Sequence, residues 1–110
     1  MKQYVIDQLR PEDHERLRTY LDEHLKASSL DGIYWLPLDA SILTETQKRH
    51  DACGPHYAAL ELTSDRLSCE LLIRAENRLR CDCVGYATTG QRDWLFAMVD
   101  AILEKLDIRI

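Results

Sequence analysis

A chain of 110 residues with 45% hydrophobic and 30% charged side chains is long enough to bury a core and too apolar to stay disordered. Its net charge of −5 argues against nucleic acid as a partner, and no stretch approaches the roughly 20 apolar residues of a membrane helix. Four cysteines without an N-terminal apolar leader point to reduced thiols in a cytoplasmic protein, folded as one domain over residues 1–110.

The first apolar run, Tyr4-Val5-Ile6, predicts a short strand. Pro11 then stands where a helix begins, with Glu12 and Asp13 at the positive end of its dipole. Leu17, Leu21 and Leu25 recur every four residues, which predicts an amphipathic helix over 11–27. Ser28-Ser29 and Asp31-Gly32 open a turn, and Ile33-Tyr34-Trp35-Leu36, stopped by Pro37, reads as a short edge strand. Asp39 and Thr44 are candidate helix caps, and Thr44 with Gln47 has the form of a capping box. A short helix between 40 and 52, ended by Gly54-Pro55, follows.

Residues 56–86 read as a three-stranded antiparallel meander. A two-residue loop at Ser64-Asp65 sets Leu62 opposite Leu67, Leu60 opposite Cys69 and Ala58 opposite Leu71. A three-residue turn at Glu76-Asn77-Arg78, with Asn77 or Arg78 in the left-handed conformation, sets Ile73 opposite Cys81 and Leu71 opposite Cys83. Cys69, Cys81 and Cys83 then share one apolar face, where free cysteine packs as a small hydrophobe. Thr88 and Gln91 form a second capping box, and Leu95, Met98, Val99, Ile102, Leu103 and Leu106 mark the apolar face of a C-terminal helix. Residues 107–110 add a last short strand or fray. The order β-α-β-α-β-β-β-α predicts an α+β two-layer sandwich, its meander extended by short N-terminal strands and packed by the two amphipathic helices.

Chemistry-bearing residues are few. His50, Cys53 and His56 are spaced three apart and can supply imidazole and thiolate to zinc. No fourth ligand is evident beside them, so no structural zinc and no cofactor is expected. Cys53 with His50 or His56 as its base is the nucleophile alternative, which needs a third group to orient the base. Arg74 and Arg80 fall opposite each other on the outer face with Arg78 beside them, a possible anion or acidic-partner patch unless Glu76 and Asp82 neutralise it. Tyr57, Leu72 and Val84 form an apolar island on the same face, the expected interface of a symmetric homodimer. Tyr34, Trp35 and Trp94 are large enough to line a pocket. No phosphate loop, acidic dyad or nucleophile elbow occurs. The expectation is a small, non-enzymatic, self-associating binding or scaffolding domain whose partner is a protein or small anion. The alternative is a metalloprotein or thiol enzyme centred on His50, Cys53 and His56.

Overall fold

The computed structural model describes residues 2–109. Strand β1 (Gln3–Ile6) leads into helix α1 (Pro11–His24), then β2 (Lys26–Ala27), β3 (Ile33–Pro37) and helix α2 (Glu45–Arg49). Strands β4 (His56–Leu62), β5 (Leu67–Glu70), β6 (Leu72–Ala75) and β7 (Gly85–Tyr86) follow, and helix α3 (Thr89–Lys105) completes the order. The fold is α+β, with an antiparallel sheet running β1-β5-β4-β3-β2. Among the described residues, no helix is long and apolar enough to cross a membrane.

The leucine stripe of α1 performs as its spacing predicts: Leu17 and Leu21 are fully buried. The helix stops three residues short of the predicted end. Leu25 turns extended so that Lys26 and Ala27 can pair with Trp35 and Tyr34. That pairing covers β3, which lies between β2 and β4 and is not the edge. Gly32 makes the intervening turn at φ +81°, a conformation that costs other residues strain. Its carbonyl accepts from the Leu62 amide at 2.7 Å, and a β-carbon there would stand 2.7 Å from the Leu62 carbonyl oxygen.

One face of the sheet carries Tyr34, Leu36, Ala58, Leu60, Leu62, Leu67, Cys69 and Ile73, all buried. These side chains form a single core with Leu17 and Leu21 of α1 and Leu95, Val99, Ile102 and Leu103 of α3. Each large aliphatic side chain among them contributes about 1.5–3 kcal/mol by leaving water, which makes this layer the main source of the fold's stability. The chain after α3 packs back through Ile108 rather than adding a strand over 107–109; Ile110 lies outside the described residues.

The first hairpin holds the predicted register, Leu62 with Leu67 and Leu60 with Cys69. Beyond it the pairing resumes at Tyr57 with Arg74, so Ala58 does not face Leu71. Glu70 to Ile73 here span the stretch opposite Ala58 and Ala59, a bulge that inserts an even number of residues. Side-chain alternation therefore survives, and Ile73 stays inward beside the core. The Leu71 amide donates to the Lys2 carbonyl and its carbonyl accepts from Ala87, tying the chain start to the segment before α3.

The second hairpin departs from expectation. Its turn is tight, bridging Ala75 to Arg78, and neither Asn77 nor Arg78 is left-handed. The chain then leaves the sheet over 79–84 and returns only at β7, where Ile73 pairs with Gly85 and Leu72 with Tyr86. Ile73 is thus not opposite Cys81, nor Leu71 opposite Cys83. Only Cys69 lies in the main core; Cys83 belongs to a separate small cluster with Cys53 and Ala75. The run from Glu76 to Arg80, polar except for Leu79, accompanies the departure: all five residues are exposed and offer little to pack as a third strand.

Candidate metal centre

Two loops meet at one site. The first is built by α2, whose capping box is complete: the Thr44 hydroxyl accepts from the Gln47 amide, and the Gln47 side chain accepts from the Thr44 amide. The helix lasts little more than a turn and ends at His50, after which a 3-10 turn over Asp51–Cys53 brings the Cys53 side chain inward. The second loop is the 79–84 excursion. The Val84 amide donates to the Cys81 carbonyl at 3.0 Å, closing a turn that presents Cys81 and Cys83 together.

The two loops place four donors in one spot. His50 Nδ1 lies 2.9 Å from Cys81 Sγ and 3.9 Å from Cys53 Sγ. The Cys53 and Cys81 sulfurs are 3.9 Å apart, and the donor atoms of His50, Cys53, Cys81 and Cys83 all lie within 4.8 Å of one another. Four ligands at about 2.3 Å around one zinc ion form a tetrahedron with edges of about 3.8 Å. The donor spacing is that of a mononuclear site, and three sulfurs with one imidazole are a donor set zinc favours.

The electrostatics suit thiolate formation. Cys81 is drawn down to about 7, first by a hydrogen bond from the Cys83 backbone N–H, then by the Cys83, Cys53 and His50 side chains, with burial opposing. Cys83 moves upward, first through burial and then through the neighbouring Cys81 thiol. Cys81 is thus the first sulfur of the pair to ionise. Cys69, in the main core, is pushed up to about 12 by burial and takes no part.

His56 is not in the group. It begins β4 opposite Ala75, buried, with an Nε2 that has no hydrogen-bond partner. Burial, followed by the nearby His50, lowers its pKa and keeps the ring neutral. Of the His50/Cys53/His56 triplet, the structure groups His50 and Cys53 with Cys81 and Cys83 and leaves His56 apart. The spacing of His50 and Cys53 was legible. The second pair was masked by a strand register that the exposed run before Cys81, and Gly85 after it, argue against.

The remaining candidates disperse. Arg74 pairs with Glu70 at 3.1 Å and faces Tyr57 rather than Arg80, while Arg78 and Arg80 are exposed in the turn and excursion. Glu76 binds Lys26 at 3.1 Å. Leu72 faces Tyr86 across the strand pair, and Val84 instead packs on the Cys53/Ala75/Cys83 cluster, so the Tyr57/Leu72/Val84 island does not form. Tyr57 packs against Trp35, ring centroids 4.6 Å apart and planes tilted by 36°, in a cleft with Pro37, Pro55, Lys26 and Glu76. Tyr34 is a core residue whose hydroxyl donates to Asp22, and Trp94 packs at the core's edge. No family model, curated protein or solved structure matches this chain.

Proposed function

We propose that this chain is a zinc-stabilised, non-enzymatic binding domain in which His50, Cys53, Cys81 and Cys83 hold one zinc ion. The observation that carries this reading is the convergence of four soft donors within 4.8 Å. Four protein ligands complete a tetrahedron and leave no open position for substrate, the arrangement of structural zinc sites. The ion would clamp the 79–84 excursion, which contributes little to the main core, onto the turn after α2. Zinc analysis of protein purified without chelator tests this. One zinc per chain, lost in Cys53→Ser and Cys81→Ser variants, is the expected result; wild-type protein that takes up no zinc when refolded with an equivalent of the metal refutes it.

Self-association through the outer sheet face is the second part of the reading. Both long helices pack on the opposite face, while Trp35, Tyr57, Leu72 and Tyr86 line this one with none fully buried. Light scattering on wild type and on Leu72→Glu decides it. A dimer that the variant splits is expected, and a wild-type monomer at high micromolar concentration refutes it.

A further inference from the structure

Metal ligands are held in place by the groups around them, and here two side-chain amides reach the backbone that carries the ligands. Asn77, at the tip of the second hairpin, donates through Nδ2 to the Gly54 carbonyl at 2.9 Å and to the Ala52 carbonyl at 3.4 Å. Its backbone N–H donates to the Cys53 carbonyl at 3.0 Å. One residue thus binds three successive carbonyls centred on Cys53. It belongs to the segment that goes on to Cys81 and Cys83, so it joins the two halves of the donor set.

Gln47 does the same for the other half. Its Nε2 donates to the Cys83 carbonyl at 3.3 Å, while its Oε1 accepts both from the Thr44 amide and from Gln91 Nε2 at 2.8 Å. Gln91 caps α3 and donates as well to the Ile42 carbonyl at 3.0 Å. Both glutamines are buried, and the Gln47–Cys83 and Gln47–Gln91 bonds form away from competing water. The capping roles alone explain the Gln47 oxygen. They do not explain why its nitrogen is aimed at Cys83, nor why an exposed asparagine brackets Cys53.

Resting on the zinc reading above, we propose that Asn77 and Gln47 are positioning residues of the metal centre, Asn77 orienting Cys53 and Gln47 orienting Cys83. Loss of groups that orient ligands commonly weakens metal binding 10–100-fold. Asn77→Ala removes the side-chain bonds at an exposed site, where the fold tolerates change. Gln47→Glu keeps the oxygen that caps α2 but removes the N–H donor to Cys83. Arg78→Ala, beside Asn77 and without such bonds, is the control.

Zinc affinity measured by competition with a chromophoric chelator, and the visible absorption of the cobalt(II)-substituted protein at saturation, test the proposal. Asn77→Ala should bind zinc 10–100-fold more weakly than wild type and shift the cobalt bands, with Gln47→Glu in the same direction and Arg78→Ala unchanged. An Asn77→Ala affinity within threefold of wild type overturns it. So does weakened binding with unmoved cobalt bands, which reports general destabilisation. A wild type that binds no zinc refutes the metal site itself, whereas a wild type that binds alongside an equally competent Asn77→Ala refutes only the positioning role.

Discussion

If the proposed zinc is bound, stripping it should loosen one corner of the chain and leave the rest folded. The donors bring together points about 28 residues apart, Cys53 and Cys81, and a cross-link of that span removes about 3.6 kcal/mol of chain entropy from the unfolded state. Beyond the hydrogen bonds of Asn77 and Gln47, the corner has little apolar packing to hold it. Cys53, Ala75 and Cys83, with Cys81 and Val84 against them, form a small cluster separate from the main core, and Leu79 within the excursion is 92% exposed. A domain of this length unfolds with an entropy of about 0.23 kcal/mol per kelvin, so losing that stabilisation lowers the melting temperature by about 15 °C. Scanning calorimetry of zinc-loaded and chelator-treated protein measures the shift. Far-ultraviolet dichroism should change little, because the strands and helices of the main core do not include the ligands. A shift below about 3 °C refutes the cross-link argument. Complete unfolding on chelation refutes the separation of the corner from the core.

Truncating Leu60, fully buried at the centre of β4, should cost 2–5 kcal/mol in urea denaturation, with the slope unchanged; a loss below 1 kcal/mol contradicts its place in the core. Gly32→Ala should destabilise by about 1–3 kcal/mol, since it puts a β-carbon at positive φ against the Leu62 carbonyl. A neutral or stabilising result would mean the turn is not left-handed. The Tyr34 hydroxyl is pushed up to about 12 by burial and then by its hydrogen bond to Asp22. Because the folded-state value exceeds the ordinary 10, its contribution is present in full below about pH 10 and is lost as pH rises towards 12. Stability measured across that window should fall less steeply in Tyr34→Phe than in wild type, and parallel curves would discount the shift.

Local chemistry was readable wherever a residue acts on its own neighbours. Both capping boxes form as Thr44/Gln47 and Thr88/Gln91 predict, because each closes within one helical turn. The stripes Leu17/Leu21 and Leu95/Val99/Ile102 bury the faces their spacing defines, and the Leu60/Cys69 register follows from a two-residue loop between apolar runs. The same locality explains the α+β class. Amphipathic helices and alternating strands of this length have few ways to cover one another.

Tertiary structure decided what no short-range pattern holds. Strand alternation in the sequence cannot tell a third strand from an excursion; Cys81 and Cys83 read as main core on that basis and instead lie with His50 and Cys53. The outcome turns on β6 finding Gly85 and Tyr86 as its partners rather than the polar run after Asn77, a competition between segments. Likewise, α1 stops at His24 and Lys26–Ala27 join the sheet beside β3, which the helical period does not register. The donor set is the clearest case. His50 and Cys53 are local to each other, as are Cys81 and Cys83, and each pair alone is too small to hold a metal. Only the fold joins them, through Asn77 bonded to the Cys53 turn and Gln47 bonded to Cys83, contacts made across 23 to 36 residues of chain whose pairing depends on how the whole core packs.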